Sequence, residues 1–424
     1  MKVYFKILPL IILLFISCKS EKIDNNITTI KFWGLGAEGE YVQKLLPEFY
    51  KKHPKIKVNV QAIPWTAAQE KLISAYASDN LPDVFQLGNT WVPQFVSLNA
   101  LENLDKYLNI SGSINKANYF EGIWNTNIID GSLFGIPWYI DTRIVFYRKD
   151  VLAKAGYSVF PKTWDELYDA SKKIKSLHKN EEKYAIFLPT NEWASFIIFA
   201  LQNNSTILKD NNRYGAFSEK EFKEAFEYII KFHKEDLAPI GFSQVTNVYQ
   251  AFAEEYFSMY ISGPWNIPEF KKWMTGNLAD KWGTAPMPSK DGNYPGTSLA
   301  GGSSLVVSSL SANKDSVWKF IEFLSDPNIQ LKFYNMINDL PSVVNAWNDS
   351  SFSNNEYMQA FFAQFHNVTE TPKITEWEQI AFAKIQQYAE LAARNSLTID
   401  EALKALDKDV NKILEKRRWL LNKK

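Results

Sequence analysis

The residues of this chain best suited to bind a ligand are aromatic rings beside polar side chains at predicted loop edges. They form five groups: Gln86, Asn89 and Trp91; Trp138, Tyr139, Asp141 and Arg143; Asn191, Glu192 and Trp193; Trp265 and Asn266; and AGGSS at residues 300–304, with Gly301, Gly302 and Ser303. Aromatic rings stack on flat apolar faces, while amides, carboxylates and guanidinium groups exchange hydrogen bonds with hydroxyls. Glycines let the backbone approach a ligand closely. Together these groups supply what binding a saccharide requires.

The segment YISGPWN at residues 260–266 leaves two interpretations for Trp265. Gly263 and Pro264 end a short apolar strand, and an aromatic residue after such a turn usually packs into the core. The indole can instead stand at the mouth of a loop as a platform for a flat ligand, because binding residues gather on loops. Taken alone, the local sequence favours the core position.

The N-terminal sequence indicates export. A basic start precedes an apolar stretch at residues 7–16, which is typical of a signal peptide and too short for a membrane span. The single cysteine, Cys18, stands where a bacterial lipoprotein signal places its acylated residue; the alternative is an ordinary signal peptide with an incidental cysteine. We predict a signal peptide at residues 1–17, lipidation at Cys18, and an unfolded lipid-anchored linker at residues 18–26.

Charge and composition narrow the possible partners. The chain has 47 basic and 47 acidic residues; without Lys2 and Lys6 the balance is 45 against 47, a net charge of about −2. Such a chain offers nucleic acid no basic surface. Aromatic residues make up 15% of the chain, including 14 Trp, and in an exported neutral protein this favours a lined cleft. A mature chain from Cys18 to Lys424 is too long for one core and predicts two lobes.

The segment GLGAEG at residues 34–39 has the form G-x-G-x-x-G between a predicted strand and helix, as dinucleotide sites do. The acidic residue expected about 20 positions later is missing where QAIPW stands. Glu38 and Glu40 would repel a pyrophosphate, and exported proteins rarely meet free dinucleotide. We interpret the segment as a tight turn that exposes Glu38 and helix amides to a ligand, with a plain structural turn as the alternative.

Residues for catalysis are few. The four histidines are His53, His178, His233 and His366. Each lies beside Lys or Asn in a predicted helix or linker, which indicates a solvated surface position, and the motifs of zinc proteases, C-x-x-C sites and serine hydrolases are missing from the sequence. Glu376 and Glu378 could be a glycosidase pair, but a surface charge run is the simpler interpretation. We therefore expect no enzyme, no metal site and no cofactor.

The first part of the chain alternates strands and helices. Strands are predicted at TTIKFW, KIKVNVQAI and DVFQLG, with helices at EYVQKLLPEFYKKH and near residues 67–78. The order strand, helix, strand, helix, strand predicts a parallel α/β sheet. Open parallel sheets bind ligands at the carboxyl ends of their strands, which is where Trp65, Asn89 and Trp91 would lie.

The rest of the chain is mainly helical. Two capping boxes mark helix starts: Thr163 with Glu166, and Thr398 with Glu401. Further helices are predicted at residues 193–202, 218–233 and 248–255, before the strand FSMYIS. An extended stretch at residues 136–147 and a return to strand character at residues 283–307 interrupt the helices. This interleaving predicts two lobes crossed several times by the backbone.

The order of these motifs resembles that of the family 1 extracellular solute-binding proteins, the carbohydrate-binding subunits of ABC importers. The matching segments cover nearly the whole mature chain: KFW, EFYKKHPKIKVNV, YASDNLPDVF, FGIPWYIDTRIVFYRKDVLAKAGYSVFPKTWDEL, MYISGPW, AGGSSLVVS and TIDEALKALDKDVNKIL. The chain departs from the pattern at two places. Glu255 and Tyr256 stand where a glycine commonly precedes the G-x-W strand, and Asn338 and Asp339 precede the Leu-Pro that usually follows a glycine.

The resemblance implies an α/β fold of the periplasmic-binding-protein type, with two α/β lobes, a multi-segment hinge and a ligand cleft between the lobes. By family topology the first lobe comprises residues 27–140 and 286–311, and the second comprises residues 141–285 and 312–424. Backbone crossings would lie near residues 138–145, 282–288 and 310–315. The domain boundaries are thus expectations from the resemblance.

The resemblance also assigns roles to the site residues. Trp265 becomes the stacking platform of the second lobe, and Trp193 faces the ligand from the same lobe. The first lobe would supply Glu38, Gln86, Asn89 and the AGGSS turn, with Tyr139, Asp141 and Arg143 at the hinge.

The implied function is capture of a saccharide, expected to be a di- or oligosaccharide, by lobe closure and its delivery to the membrane subunits of an ABC importer. The protein would act as a monomer in the cell envelope outside the cytoplasm, lipid-anchored to a membrane and without a nucleic-acid partner. Related families bind polyamines, iron or thiamine on the same scaffold, but the neutral charge and the many Trp argue against a cationic or metal ligand. A lipid-anchored glycoside hydrolase or a dinucleotide-dependent enzyme is the alternative from another class.

Overall fold

The computed structural model describes residues 27–110, 112–179, 181–241 and 245–423. The predictions of a signal peptide, of lipidation at Cys18 and of a linker lie outside these residues. Within the described ranges, every helix is too short or too polar to span a bilayer.

Sixteen strands are assigned among the described residues. They are β1 (Thr28–Leu35), β2 (Ile56–Ile63), β3 (Val84–Gly88), β4 (Ile128–Ile129), β5 (Ser132–Leu133), β6 (Gly135–Asp141), β7 (Ile144–Arg148), β8 (Tyr184–Phe187), β9 (Leu208–Lys209), β10 (Tyr214–Gly215), β11 (Phe257–Ser262), β12 (Trp282–Ala285), β13 (Ser298–Leu299), β14 (Gly301–Val307), β15 (Leu340–Pro341) and β16 (Val368–Thr369).

Twenty α-helices are assigned in the same part of the chain. They are α1 (Gly36–Tyr41), α2 (Leu46–Lys52), α3 (Trp65–Ala77), α4 (Val92–Ser97), α5 (Asp105–Leu108), α6 (Glu121–Asn125), α7 (Lys149–Lys154), α8 (Trp164–Leu177), α9 (Trp193–Gln202), α10 (Lys220–Lys234), α11 (Val248–Ala253), α12 (Asn266–Trp273), α13 (Lys314–Leu324), α14 (Pro327–Ile337), α15 (Ser350–Ser353), α16 (Glu356–Phe365), α17 (Trp377–Gln379), α18 (Gln386–Ala393), α19 (Ile399–Ile413) and α20 (Glu415–Leu421).

The first lobe is built on a six-stranded sheet in the order β15-β6-β14-β3-β1-β2. Strands β2 and β3 run parallel to β1, as the alternating pattern predicts. The sheet is mixed rather than fully parallel, because β14 pairs antiparallel with both β3 and β6. The second of these pairings brings residues more than 160 positions apart in the sequence to the centre of the sheet, and local periodicity gives no sign of such a partner.

The second lobe is built on a four-stranded sheet in the order β12-β7-β11-β8, with helices packed on it. Strand β11 runs parallel to β8 and antiparallel to β7. The capping boxes predicted for α8 and α19 are both present, so Thr163 and Thr398 mark the helix starts. Helix α9 has the predicted bounds, Trp193–Gln202, and its residues 193–200 are all buried.

The hinge contains backbone segments that bond to one another. Strand β6 belongs to the first sheet and β7 to the second, so the chain crosses at residues 142–143, inside the expected range. The hydroxyl of Thr142 donates to the carbonyl of Leu299 at 2.7 Å, and the hydroxyl of Ser298 donates to the carbonyl of Arg143 at 2.7 Å. Two crossing segments are therefore tied side by side.

The packing of α13, α14 and β15 differs from the expected division of the lobes. Phe320 of α13 packs edge-on against Phe32 of β1 at 5.5 Å between ring centroids, and Phe333 of α14 stacks on Trp138 at 5.0 Å. Strand β15 pairs with β6. By contrast, Tyr357 of α16 stacks on Trp282 of the second sheet at 4.0 Å. We therefore propose that residues 314–341 belong to the first lobe and that the third crossing follows Pro341, rather than residues 310–315.

His233 corrects the expectation that all four histidines are solvated. Its side chain lies on the buried face of α10, because the helix packs through Phe222, Phe226, Ile229 and Ile230 and position 233 falls on the same stripe. Burial lowers the pKa of His233 from 6.5 to about 4.

We expect this histidine to make the protein sensitive to mild acid. A lowered pKa in the folded state means that His233 contributes stability that is fully present above pH 6.5 and is lost as the pH falls toward 4. The side chain of Gln in His233→Gln cannot take up a proton. The melting midpoint of this variant should therefore rise relative to that of the parent protein as the pH falls from 6.5 to 4. The exposed His366→Gln serves as the control; identical pH profiles for the two variants would refute the effect.

Candidate functional site

A cavity of about 430 Å³ is lined by residues that belong to or follow strands of both sheets. Its walls are Trp65, Tyr139, Ile140, Asp141, Pro264, Trp265, Pro268, Ile337, Asn338, Asp339 and Leu340. Trp65 begins α3 at the carboxyl end of β2, and Tyr139 to Asp141 form the end of β6, so these side chains come from the first lobe and the hinge. Pro264 and Trp265 follow β11 of the second lobe. A ligand in this cavity would contact both lobes.

Trp265 stands as an exposed platform rather than a cap on the core. Its side chain is 48% exposed, although Trp is usually well buried. The ring lies over the backbone of Gly263, where a Cβ atom would come within 2.1 Å of the indole atom Cζ3. The guanidinium of Arg143 lies 4.7 Å from the ring centroid. Of the two interpretations left open by the sequence, the structure favours the platform.

The turn that carries Trp265 is held from beneath by Asn266. The amide of Asn266 is buried and donates to the hydroxyl of Ser262 at 2.7 Å and to the carbonyl of Gly263 at 3.0 Å. Its carbonyl oxygen accepts the hydroxyl of Tyr249 at 3.1 Å. Asn266 therefore fixes the turn, and its polar atoms are not available to a ligand.

Glu38 is buried next to the cavity residues Trp65 and Tyr139 and is held by Gln86. Gln86 Nε2 donates to Glu38 Oε1 at 3.3 Å, and Gln86 Oε1 accepts the amide of Leu35 at 2.7 Å. Tyr139 and Trp65 also hydrogen bond to the Glu38 carboxylate. Burial raises the pKa of Glu38, and these hydrogen bonds offset only part of that rise. Gln86 is thus a positioning residue, because both ends of its side chain are engaged inside the protein.

The glycines of GLGAEG have structural tasks. A Cβ on Gly34 would approach Gly39 Cα within 2.5 Å, so strand and helix pack backbone to backbone there. Gly36 has φ +50° and sits under the indole of Trp65. The segment is therefore a structural turn that sets Glu38 against the cavity residues Trp65 and Tyr139. Contact of Glu38 or of the helix amides with a ligand remains a prediction.

Asp141 and Arg143 form an ion pair at the hinge. Arg143 Nη1 donates to Asp141 Oδ1 at 2.9 Å, so the Asp141 carboxylate already has a cationic partner. Burial raises the pKa of Asp141, and the charge and hydrogen bond of Arg143 lower it in part. Through its contact with Trp265, Arg143 links this pair to the platform of the second lobe.

The AGGSS segment is a strand rather than a flexible turn, because residues 301–307 form β14. A Cβ on Gly301 would lie 2.2 Å from Asp141 Oδ1, and one on Gly302, whose φ is +118°, would lie 2.3 Å from the carbonyl of Tyr139. These glycines let β14 pass close beneath the hinge end of β6. The buried Ser303 hydroxyl donates to the carbonyl of Leu87 at 2.9 Å. Contact of Gly301, Gly302 and Ser303 with a ligand remains a prediction.

Asn89 and Trp91 are not among the residues that line this cavity. Asn89 Nδ2 donates to the hydroxyl of Thr126 at 3.2 Å, and its Oδ1 has no hydrogen-bond partner among the described residues. Trp91 packs edge-on against Trp65 at 5.6 Å between ring centroids, and so supports that ring from behind. Direct contact of either residue with a ligand remains a prediction.

Two tryptophans expected in the site belong to the core. Trp138 is 2% exposed and stacks on Phe333, because β6 turns that side chain toward α14 while Tyr139 faces the cavity. Trp193 is 8% exposed and packs edge-on against Trp377 and Phe382 in the second lobe. We withdraw both from the candidate site.

Asp339 is an acidic residue of the cavity wall that was not predicted from the sequence to belong to the site. Burial, together with the nearby carboxylates of Glu38 and Asp141, raises the pKa of Asp339 to about 8. The only sequence signal was the departure at Asn338 and Asp339 from the usual glycine. Trp65 was placed at this sheet edge but was not counted among the ligand-binding residues.

We expect Asp339 to give the protein a pH-dependent stability of its own. A raised pKa in the folded state means that the contribution of this carboxyl is fully present below about pH 4 and is lost as the pH rises through about 8. The melting midpoint of Asp339→Asn should therefore rise relative to that of the parent protein between pH 4 and 8. Above pH 8 the difference between the two midpoints should stay constant. The surface variant Asp280→Asn should keep a constant offset, and parallel curves for both variants would contradict the expectation.

Comparisons with known proteins agree with this geometry. The family described as bacterial extracellular solute-binding protein matches residues 33–330. The sugar-binding protein MalE from the phytopathogen Xanthomonas citri is 43% identical, with a TM-score of 0.90 over 94% of this chain and 100% of that chain. The diacetylchitobiose-binding protein DasA of Streptomyces coelicolor is 27% identical over 70% of this chain and 69% of its own length. The sn-glycerol-3-phosphate-binding periplasmic protein UgpB of Rhizobium meliloti is 26% identical over 77% of this chain and 78% of its own.

Proposed function

Because the chain belongs to the bacterial extracellular solute-binding proteins, a family that works outside the cytoplasm, we propose that it captures a saccharide in the cleft between its lobes. The observation that carries this proposal is the exposed indole of Trp265 on a cavity that Tyr139 and the carboxyl groups of Asp141 and Asp339 also line. Rings that stack on apolar sugar faces, set across from hydrogen-bonding groups for hydroxyls, are the combination a saccharide needs. The names of the Xanthomonas and Streptomyces relatives support the same class of ligand.

The size of the cavity supports a short saccharide. A volume of about 430 Å³ lies within the range of roughly 300–1,000 Å³ typical of small-molecule sites. The two indoles on its wall, Trp65 and Trp265, come from different lobes, so more than one sugar unit can be stacked. We therefore propose a di- or oligosaccharide as the ligand.

The mechanism follows from the division of the contacts between lobes. A sugar contacts Trp265 of the second lobe and Trp65 of the first lobe at the same time only when the cleft is closed. It therefore binds the closed form more tightly than the open form and stabilises the closed form. The hinge segments around Thr142 and Ser298 are the places where the backbone would bend. The membrane subunits of an ABC importer would then recognise the closed protein, which acts as a monomer tethered through a lipid on Cys18.

We propose binding without catalysis. The carboxylate of Asp141 on the cavity wall is engaged by Arg143, and the buried carboxylate of Glu38 is engaged by Gln86. Glu376 and Glu378, the pair considered for glycosidase chemistry, have other partners: Glu376 lies 3.8 Å from Arg417, and Glu378 bonds to Thr90. Neither is on the cavity wall. Incubation of the protein with oligosaccharides should yield no shorter products, and release of such products would support the hydrolase alternative.

Thermal melting with a panel of mono-, di- and oligosaccharides tests the function. A ligand that binds only the folded protein stabilises it by mass action and so raises the melting midpoint. The gain is about 2.7 kcal/mol at a ligand concentration of one hundred times the dissociation constant. We expect a rise with at least one neutral sugar. A rise with a polyamine and with none of the sugars would leave the fold intact and overturn the ligand class.

A further inference from the structure

We propose that Asp339 restricts this cleft to uncharged saccharides. Its carboxyl group pairs with a hydroxyl of the bound sugar, and the acidic corner that it forms with Glu38 and Asp141 excludes sugars carrying a phosphate or a carboxylate. The inference rests on the proposed function and names the class of ligand for the same cavity.

The backbone fixes Asp339 at the cavity wall. Helix α14 ends at Ile337, and Asn338 takes the left-handed conformation with φ +65°, while its amide donates to the carbonyl of Tyr334 at 2.7 Å. Asn tolerates this conformation where the family usually has glycine. Strand β15 then pairs antiparallel with β6, Leu340 opposite Ile140. Continuing that register brings Asp339 opposite Asp141 at the edge of the cavity.

Asp339 has a buried hydrogen-bonding atom that no group among the described residues uses. Its Oδ2 is buried and has no hydrogen-bond partner among the described residues. Glu38 is bonded by Gln86, and Asp141 is paired with Arg143. A buried polar atom without a partner is costly, and a sugar hydroxyl at this position would satisfy it. The group that meets the ligand is therefore Asp339 rather than either neighbour.

The charges around the cavity oppose an anionic ligand. Two acidic side chains, Asp141 and Asp339, line the cavity, and no Lys or Arg is among its lining residues. Glu38 is buried close enough to raise the pKa of Asp339. The cation nearest to this corner is Arg143. It forms an ion pair with Asp141, and its guanidinium lies over the ring of Trp265. A phosphate entering this corner would meet the carboxylates of Glu38 and Asp141 without a free counter-charge, in a site where burial strengthens the repulsion. A neutral sugar meets no such penalty.

Matched pairs of neutral and phosphorylated sugars test the proposal. Calorimetric titrations of the purified protein would use maltose with maltose 6′-phosphate and trehalose with trehalose 6-phosphate, together with sn-glycerol 3-phosphate. We expect a neutral sugar to bind at least 100-fold more tightly than its phosphate, and sn-glycerol 3-phosphate not to bind. Equal affinity within a pair, or binding of the glycerol phosphate alone, would overturn the proposal.

Two variants separate the role of Asp339 from that of the fold. Asp339→Asn keeps the shape and the hydrogen-bonding capacity. The pKa of Asp339 is about 8, so parent and variants are compared at pH 9, where this carboxyl is ionised. There the affinity of Asp339→Asn for the neutral sugar should stay within tenfold, while its preference for that sugar over the phosphate falls at least tenfold. Asp339→Ala should lose at least tenfold affinity for the neutral sugar. Asp280→Asn, on an exposed residue away from the cavity, should change neither.

The outcomes distinguish this inference from the proposed function. If a neutral sugar binds the parent protein, Asp339→Asn and Asp339→Ala equally, with the preference over its phosphate unchanged, saccharide capture stands and the role of Asp339 is refuted. If no neutral sugar binds the parent protein in any titration, both the saccharide function and the role of Asp339 are refuted.

Discussion

Replacement of Trp265 by Ala should lower the affinity for the saccharide by about 100-fold, or about 3 kcal/mol, as loss of a central aromatic anchor does. The indole is the large apolar surface that the second lobe offers to the cavity, and without it a sugar keeps its hydrogen bonds but loses its stacking contact. Because the ring is half exposed, its removal should leave the melting midpoint without ligand nearly unchanged. Calorimetric titration of parent and variant measures the effect.

Two further variants act as controls for Trp265→Ala. Trp273→Ala removes another partly exposed indole, at the end of α12 and off the cavity wall, and should leave affinity unchanged. Gly263→Ala keeps the Trp265 ring but places a Cβ where Cζ3 now lies within 2.1 Å, so it should displace the ring and weaken binding in the same direction. Undiminished sugar binding by Trp265→Ala would remove the platform from the account.

Replacement of Arg148 by Met should destabilise the protein by about 3–5 kcal/mol, the usual result of removing one partner of a buried charge network. Arg148 is 1% exposed and bonds to both carboxylate oxygens of Asp150, to Glu255 at 2.8 Å, and to the carbonyls of Phe252 and Ala253 at the end of α11. Met fills a similar volume but leaves these acceptors without their donor. The melting midpoint should fall by about 5 °C or more.

The matched control for Arg148→Met is Arg394→Met, which breaks an exposed pair with Glu390 and should cost less than about 1 kcal/mol. Affinity for the sugar, measured well below the midpoint, should be retained by Arg148→Met because Arg148 lies off the cavity wall. Equal midpoints for the two variants would show that the buried network contributes no more than a surface pair.

Local signals predicted much of the fold. In the first part of the chain, the periodicity of apolar residues predicted β1, β2 and β3 and their parallel arrangement. The capping boxes at Thr163 and Thr398 predicted the starts of two helices. These features depend on neighbours within a few residues, so one sequence contains them. The two-lobed fold implied by the resemblance is confirmed by the likeness to MalE of Xanthomonas citri.

The errors concern partners distant in the chain. Trp138 and Trp193 have the polar neighbours of binding residues, but Phe333 lies 195 positions after Trp138, and Trp377 lies 184 positions after Trp193. Gln86 likewise meets Glu38 only after folding. Whether an aromatic or amide side chain faces a cavity or the core depends on such partners, and neither periodicity nor composition reports them.

The two departures from the family pattern mark special backbone. Glu255 has φ +60° and Asn338 has φ +65°, so both occupy the left-handed region in which glycine is ordinarily favoured. At the first position the side chain pairs with Arg148, and at the second the turn presents Asp339 to the cavity. The sequence showed where the pattern breaks, whereas the purpose of each break required the tertiary contacts.

Isothermal titration of the protein with neutral di- and oligosaccharides tests the central claim most directly, because it reports affinity and stoichiometry together. The account predicts one sugar bound per chain, with a negative heat-capacity change from the apolar surface buried against Trp265. The titrations are made at two temperatures, so that a binding enthalpy close to zero at one of them cannot hide binding. If no sugar gives binding heat at either temperature, the account is contradicted. More than one equivalent site per chain would also contradict it.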